Sequence, residues 1–404
     1  MDAEKREVQI TFPEYIQKII SRLSDAGYDA YAVGGCIRDS VLGRVPNDWD
    51  VTTAADPHET MRIFAEGDIH VIGTAGIRHG TVMVKAGDDV CEITTFRCDG
   101  DYKDHRRPDS VSFSKNIKED LARRDFTMNA VAAKPGADGC VLVDPFGGID
   151  DIGKRVIRTV GDPRKRFTED ALRILRAVRF TSELGFSVDP GTVCAASELM
   201  ETLGYVSKER ITSELWKTLS GKYLGCSVTA FADVFEYLAG GDCERFLKNA
   251  ASVDDPYVCL ALMIKHGTGG RSFFERMRFP AKTVSLVRSL LNIGDVSNDT
   301  ADVCKLMDEF DEGIGCAVKY LSIIKGKKYG DALAEKVEEI RGNDIPYKLS
   351  MLDITGGDIR GIGIVGREIG DALEWMLSSV QNGDVQNERT ALLEALKEKR
   401  IKNS

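Results

Sequence analysis

Residues 33–52 read VGGCIRDSVLGRVPNDWDVT, and this stretch decides how the N-terminal third of the chain folds. The apolar run from Ala30 to Val33 predicts a short strand, and the residues after Gly34-Gly35 predict a helix. A second strand is predicted from Asp48 to Thr52. Two glycines let the backbone approach a phosphate closely, and a helix N-terminus adds oriented N–H donors. Taken alone, however, a Gly-Gly turn is more often a plain connection between a strand and a helix.

Asp48 and Asp50 are separated by one residue on the second predicted strand. Side chains at i and i+2 of a strand point to the same face, so the two carboxylates converge on one spot. Mg²⁺ prefers such oxygen ligands and also accepts oxygens from substrate phosphates. An isolated Asp-x-Asp is often a surface feature. Because this pair follows Gly34, Gly35 and Arg38, we expect it to bind Mg²⁺ beside a triphosphate.

Further candidates for this site come later in the first third. Residues 81–85 and 90–96 predict two paired strands around Gly87-Asp88-Asp89. Glu92, on the second of them, is the candidate third catalytic carboxylate, and the alternative is a surface residue of an edge strand. Within residues 123–130, which read RRDFTMNA, Arg124 is expected to hold phosphate oxygens. Asp125 and Asn129 are expected to hydrogen-bond ribose hydroxyls. Without the preceding motif, such a charged group would be interpreted as a surface cluster.

A single helix is predicted for residues 169–179, which read EDALRILRAVR. Asp170, Arg173, Arg176 and Arg179 recur every three residues on a segment that is otherwise densely apolar. Arginines on such a helix are costly unless something accepts their hydrogen bonds. The alternative to a binding role is a structural ladder of salt bridges.

If this helix binds a nucleotide, Asp170 and Arg173 together form a pair of hydrogen-bonding groups that can distinguish bases. The Watson–Crick edges of C and A each offer an amino donor beside a ring-nitrogen acceptor, whereas U and G offer a carbonyl beside a ring N–H. A carboxylate next to a guanidinium complements the first pattern and repels the second. This pair is therefore a candidate reader that accepts CTP and ATP and rejects UTP and GTP.

Composition and charge place the chain among cytoplasmic globular proteins. It has 404 residues, 43% of them hydrophobic and 29% charged, with a formal net charge of −10. No secretory leader is evident at the N-terminus, and apolar runs such as Val258 to Ile264 are too short to span a membrane. The net negative charge argues weakly against nucleic-acid binding. Residues 151–185 nevertheless form a locally basic segment, with nine Lys/Arg against five Asp/Glu.

The character of the sequence changes after residue 148. Mixed helix and strand signals come before it, and long helical periodicities dominate from Arg164 onward. We therefore expect an α+β head followed by an all-α remainder. The predicted regions are a catalytic head (1–145), a neck with the nucleotide-reading helix (146–215), a body (216–300) and a tail that contacts tRNA (301–404).

These motifs, in this order, resemble those of the class II tRNA nucleotidyltransferases, the CCA-adding enzymes. The resemblance covers residues 30–220 densely and the tail more loosely. The matching segments are Val33-Gly34-Gly35-x-x-Arg38-Asp39, Asp48-x-Asp50, residues 123–130, residues 144–148 (DPFGG), Glu169-Asp170-x-x-Arg173-x-x-Arg176, and Glu209-Arg210-Ile211 with Glu214.

The resemblance implies a polymerase-β-like head, a seahorse arrangement of head, neck, body and tail, and Mg²⁺-dependent addition of C, C and A to the 3′ end of tRNA from CTP and ATP. No nucleic-acid template is needed. Carried over by position, Asp48 and Asp50 bind metal, Gly35, Arg38 and Arg124 hold phosphate and sugar, Asp170 and Arg173 read the base, and Arg176 and Arg179 support and contact the nucleotide.

Several alternatives remain open within and beyond this family. CC-adding or A-adding relatives share the motifs, but the complete flexible segment at residues 94–108 favours full CCA addition. Bacterial poly(A) polymerases share the head, whereas residues 76–81 (GIRHGT) resemble the CCA-adding version. A catalytically idle RNA-binding module is the alternative from another class. Trp49 is bulky for its position and is expected to pack behind the strand. Monomer and homodimer are both compatible with the sequence.

Overall fold

The computed structural model describes residues 9–99, 111–137, 139–266 and 270–402. They form two compact units, one made of residues 1–241 with 276–278 and the other of residues 242–275 with 279–404. The predicted division into four regions stays a prediction. Most of the flexible segment expected at residues 94–108 lies outside the described residues.

All the described strands belong to the first unit. They are β1 (Ala30–Val33), β2 (Asp50–Thr53), β3 (Ile69–Gly73), β4 (Thr81–Ala86), β5 (Asp89–Thr95), β6 (Arg97–Asp99), β7 (Val111–Phe113), β8 (Ala132–Gly136), β9 (Gly139–Val143), β10 (Val156–Ile157) and β11 (Ser187–Val188).

The described α-helices run through both units. They are α1 (Glu14–Asp25), α2 (Gly35–Val41), α3 (Pro57–Ile63), α4 (Ile117–Ala122), α5 (Gly148–Lys154), α6 (Pro163–Glu169), α7 (Leu172–Leu184), α8 (Pro190–Leu199), α9 (Lys208–Leu219), α10 (Leu224–Ala230), α11 (Ala232–Ala239), α12 (Glu244–Asn249), α13 (Pro256–His266), α14 (Gly270–Arg276), α15 (Ala281–Asn292), α16 (Thr300–Phe310), α17 (Ile314–Lys325), α18 (Lys327–Gly342), α19 (Gly356–Gly361), α20 (Glu368–Gln381) and α21 (Arg389–Lys402).

Short 3₁₀ helices complete the described elements. They are Ile77–His79, Thr127–Asn129, Met200–Tyr205, Ala250–Ser252, Asp311–Gly313 and Leu349–Met351.

A mixed sheet of seven strands forms the centre of the first unit in the described residues, in the order β3-β4-β5-β2-β1-β8-β9. Its neighbours are antiparallel except for β2 and β5, which run parallel and place Asp50 directly beside Glu92. The predicted hairpin of β4 and β5 is confirmed. The sequence analysis did not identify β3, β8 or β9.

The sheet is packed on both faces. On one face, α1 buries Ile16, Ile19 and Leu23 against the inward residues of the central strands. On the other, Leu121 of α4 packs with Tyr31 and with neighbouring apolar residues of the sheet. Helix α3 begins at Pro57, where Asp56 and Glu59 close a capping box. Burial of these apolar side chains is the main force that fixes the sheet.

The second unit is helical throughout its described residues. Helix α13 is apolar on every side, and Val258 to Ile264 are all buried. A separate core, built around Ile359, Met376 and Leu392, joins α19, α20 and α21. The predicted fold class, a mixed α+β head followed by helices, is therefore confirmed. Among the described helices, none has the length and apolar character needed to span a membrane.

Gly148, at the start of α5, provides a test of how tightly the head is packed. A Cβ atom there would lie 2.2 Å from the Thr127 carbonyl oxygen and 2.5 Å from Val131 Cγ2, so the backbone must shift. We expect Gly148→Ala to destabilise the first unit by about 2–3 kcal/mol, seen as a lower thermal unfolding midpoint. In the control Gly204→Ala, the added methyl meets only the Tyr237 hydroxyl at 4.0 Å. Equal unfolding midpoints for the two variants would contradict this picture of the packing.

Candidate active site

A cleft of about 410 Å³ in the first unit brings together most of the predicted site residues. Its walls come from segments that are far apart in the chain, so only the fold assembles it. Asp48, Glu92 and Arg179 are predicted site residues that do not line it, whereas Phe180 lines it and was not assigned a role from the sequence. The lining residues are Gly34, Gly35, Arg38, Asp50, Arg123, Arg124, Asp125, Asn129, Asp170, Arg173, Arg176 and Phe180.

The Gly34-Gly35 turn approaches Arg124 closely. Gly34 has φ +85° and ψ −129°, a conformation that favours glycine, and it precedes the first residue of α2. A Cβ atom on Gly34 would lie 3.1 Å from Arg124 Nη1. The Nε atom of Arg124 is buried without a hydrogen-bond partner among the described residues. The turn therefore leaves room for the Arg124 guanidinium, whose Nε–H remains available to donate a hydrogen bond to a ligand.

The three candidate carboxylates lie around the start of β2. The strand begins at Asp50, so the prediction that Asp48 also lies on it is wrong. Trp49 between them is 5% exposed and packs against Phe12 with ring centroids 5.7 Å apart, as predicted. Glu92, exposed on β5, is the register partner of Asp50, and partners in neighbouring strands face the same side of a sheet.

The electrostatic environment of Asp50 favours a cation. Loss of solvent around its carboxyl and the negative charges of Glu92 and Asp48 raise the pKa of Asp50 to about 6, although Arg124 works in the opposite direction. Among the described residues, no group of three or more His, Cys, Asp or Glu side chains is arranged to hold a metal ion.

Asp120 is a site residue that the sequence analysis missed. Its side chain on α4 is completely buried and accepts hydrogen bonds from Arg123 at 2.6 Å and from Arg124 at 3.2 Å. Burial works to raise its pKa, but the two guanidiniums outweigh that effect and lower it. Asp120 therefore stays ionised and fixes both arginines at the wall of the cleft. Its position three residues before Arg123 on a helix is the signal that could have identified it.

Asp125 and Asn129 form a buried network rather than two free polar groups. Asp125 accepts from Arg176 Nε at 2.6 Å and from Asn129 Nδ2 at 3.2 Å. Asn129 Oδ1 in turn accepts from Arg38 Nη1 at 2.9 Å, and Arg38 also binds both carboxylate oxygens of Asp39. Burial works to raise the pKa of Asp125, but Arg176 and Asn129 hold it at about 2. The network links α2, α7 and the 3₁₀ turn at residues 127–129.

Asp170 corrects the prediction of one continuous helix for residues 169–179. It adopts extended backbone angles between α6 and α7, so the second helix begins only at Leu172. The reason is local: the Asp170 carboxylate accepts the N–H of Leu172 at 3.1 Å, which competes with helix continuation and caps α7. Its other oxygen binds Arg210 Nη2 at 3.3 Å. Asp170 nevertheless lines the cleft, as Arg173 does.

Arg173 is held firmly by the protein. Its guanidinium donates to Glu169 Oε2 at 2.8 Å, to the Arg166 carbonyl at 3.1 Å and to the Arg123 carbonyl at 2.8 Å. No hydrogen bond joins Arg173 to the Asp170 side chain within the described chain. The two predicted base-reading groups therefore lie at the same cleft but are anchored by different partners.

Helix α9 holds α7 and the turn before it in place through ion pairs. Glu214 accepts from Arg179 Nε at 2.7 Å, and Glu183 accepts from Arg179 Nη1 at 2.9 Å. Arg210, which like Glu214 is on α9, pairs with Asp170. Arg179 is thus engaged by carboxylates and does not line the cleft, so its predicted contact with the nucleotide stays a prediction. The motif that contains Arg210 and Glu214 therefore holds α7 in position.

Ion pairs also occupy much of the basic cluster at residues 151–185. Arg158 pairs with Asp189, and Arg164 pairs with Glu198 at 2.8 Å. The excess of positive charge predicted there is therefore partly neutralised inside the fold.

Comparisons with known proteins identify the family to which this chain belongs. Residues 30–158 match the family model of the poly A polymerase head domain. The CCA-adding enzyme of Geobacillus stearothermophilus is 36% identical over 399 residues, which cover 94% of this chain and 96% of the relative. That of Bacillus subtilis (strain 168) is 35% identical over 396 residues, with 94% and 96% coverage.

A solved structure extends the similarity to three dimensions. The crystal structure of the Bacillus stearothermophilus CCA-adding enzyme in complex with CTP is 33% identical and superposes with a TM-score of 0.77. The match covers 98% of this chain and all of that one. Since both sequence and structure match over nearly the whole length, the chain belongs to the family of CCA-adding enzymes, which are nucleotidyltransferases.

Proposed function

We propose that this chain adds C, C and A in turn to the 3′ end of tRNA in the cytoplasm, with CTP and ATP as substrates and pyrophosphate as product. The observation that carries the proposal is the cleft itself. It places Asp50 beside a glycine turn, a set of arginines and the Asp170 carboxylate. The solved relative, which is bound to CTP, supports this assignment.

Family membership implies a divalent metal ion, and we assign Mg²⁺ to Asp48 and Asp50. Bound there, Mg²⁺ would lower the pKa of the attacking 3′-hydroxyl and stabilise the charge on pyrophosphate. Glu92 lies beside Asp50 in the register and adds to the negative charge that favours a cation. We assign it the role of third catalytic carboxylate.

The triphosphate is assigned to the glycine turn and its arginines. Gly34 and Gly35 give close access to the backbone, and Arg124 supplies a buried Nε–H that has no partner among the described residues. Arg38 donates to Asp39 and Asn129, so it contributes positive charge and orients Asn129. Asn129 is then positioned, with Asp125, to bind the ribose.

Base selection is assigned to Asp170 and Arg173, with Arg176 beside them. Asp170 accepts a donor and Arg173 supplies one, which matches the donor and acceptor pattern shared by C and A. Anchoring by Arg210 and by Glu169 keeps both groups in place before the nucleotide binds. Such preorganisation lowers the entropy lost on binding and strengthens discrimination.

The acceptor is assigned to tRNA through its shape and phosphates, because the sequence next to the 3′ end varies among tRNAs. The reaction is an in-line attack of the 3′-hydroxyl on the α-phosphate of the bound nucleotide. Catalysis then comes mainly from positioning and from the electrostatics around Asp50.

Product analysis tests the proposal directly. Purified chain is given tRNA that ends before CCA, Mg²⁺, and each nucleotide singly and together, and products are resolved at single-nucleotide length. We expect CTP alone to give CC and the mixture with ATP to give CCA and then stop. A stop at CC in the mixture indicates a CC-adding enzyme, a long A tail indicates a poly(A) polymerase, and no product indicates an RNA-binding module.

Removal of one charge from the carboxylate pair should abolish chemistry. We expect Asp50→Asn to slow nucleotide addition by about 10³-fold, because half of the protein's contribution to the metal site is lost. The measurement is the single-turnover rate at saturating CTP and Mg²⁺. The control is Asp88→Asn, in the exposed turn between β4 and β5, which should keep the parental rate. A parental rate in Asp50→Asn would refute the metal assignment.

Base selection should depend on the charge of Asp170. Asp170→Asn keeps an oxygen that can cap α7 but presents an amide to the base. We expect the ratio of CTP to UTP incorporation to fall by at least about tenfold, since one donor–acceptor match is lost. The control is Asp150→Asn, which removes an exposed carboxylate on α5 that does not line the cleft, so the ratio should stay high. An unchanged ratio in Asp170→Asn, or the same loss in both variants, would exclude direct reading by Asp170.

A further inference from the structure

The ring of Phe180 lies among three arginines at the wall of the cleft. The guanidinium carbons of Arg179, Arg176 and Arg38 are 4.1, 5.2 and 5.3 Å from its centroid. Phe180 is 5% exposed and packs at a right angle to Phe126, with centroids 5.8 Å apart. All three arginines are within the range at which a cation is attracted to the negative face of an aromatic ring.

Arg179 differs from the other two arginines of this group. It does not line the cleft, its side chain is 12% exposed, and Glu214 and Glu183 engage it from the protein side. It is also the arginine nearest to the Phe180 ring. Arg179 therefore fixes the ring from behind.

Arg38 and Arg176 approach the same ring from the cleft, where a triphosphate is expected. Each has one carboxylate partner, Asp39 for Arg38 and Asp125 for Arg176. Two guanidiniums that approach the same ring carry like charges, which repel each other more strongly where water is scarce. The ring attracts both without adding negative charge. A carboxylate in its place would also hold the arginines, but it would reduce the positive charge that faces the phosphates.

We propose that Phe180 is a positioning residue for the nucleotide site. Its ring holds Arg38 and Arg176 in place in the free enzyme, so that CTP or ATP binds without first having to order them. This role rests on the proposed function, because it assumes that the nucleotide occupies this cleft. It predicts an effect on nucleotide affinity rather than on the chemical step, since the ring acts through the arginines.

The test varies the electrostatics of the ring at nearly constant size. Phe180 is replaced by mono-, di- and trifluorinated phenylalanine, in which each fluorine weakens the negative face. We expect the Kd for CTP, measured by calorimetry on the full chain with Mg²⁺, to rise stepwise to about tenfold for the trifluorinated ring. The kcat at saturating CTP should stay near the parental value. A residue that only fills space would give no trend with fluorine number.

Two controls distinguish failure of the positioning role of Phe180 from failure of the nucleotide assignment. The same series at Phe186, which is buried just after α7, should leave the Kd unchanged. A flat series at Phe180, or an equal trend at Phe186, would overturn the positioning role. Arg176→Met tests the cleft: unchanged CTP affinity there would overturn the nucleotide assignment and this inference with it. Weaker CTP binding in Arg176→Met combined with a flat Phe180 series would remove only the role of the ring.

Discussion

Repulsion between like charges is the constraint that shapes this site. Arg38, Arg123, Arg124, Arg173 and Arg176 all line one cleft, and a site for a triphosphate needs that charge to remain available. The fold resolves the conflict by giving the arginines acceptors on their protein side. These acceptors are Asp39, Asp120, Asp125 and Glu169. Asp120 and Asp125 are deeply buried, so their strong interactions hold the guanidiniums in fixed orientations.

The residues around the cleft come from two structural layers, which carry different assigned roles. The sheet supplies the carboxylates through the parallel pair β2 and β5, whereas α7 and the turn before it supply the groups assigned to base selection. Asp125 and its neighbours join the layers, because Asp125 binds Arg176 on α7 while Asn129 binds Arg38 on α2. A change in nucleotide preference therefore does not require a change in the chemistry at Asp50.

Local patterns were sufficient to predict much of this arrangement. The glycine turn and the hairpin of β4 and β5 each depend on neighbouring residues, so the sequence predicts them well. The strand predicted for both Asp48 and Asp50 was less accurate, since β2 begins only at Asp50. The break at Asp170 was not predicted, because the carboxylate that was interpreted as a reader also caps α7. Asp120 was missed although its partners, Arg123 and Arg124, follow it by only three and four residues. Phe180 was missed for another reason, because its contact with Arg38 exists only once the fold brings the two residues together.

The bond between Asp125 and Arg176 joins residues 51 positions apart, and β1 pairs with β8 about a hundred residues later in the chain. Contacts of such long range form late in folding, because the entropy of closing large loops must be overcome first. During synthesis, residues 30–143 can complete the sheet and bring Asp50 beside Glu92 before α7 has emerged. Until then Asp125 has no guanidinium to compensate its burial. Helix α7 therefore supplies the guanidinium that compensates the burial of Asp125, and it also carries Arg173, one of the two groups assigned to base selection.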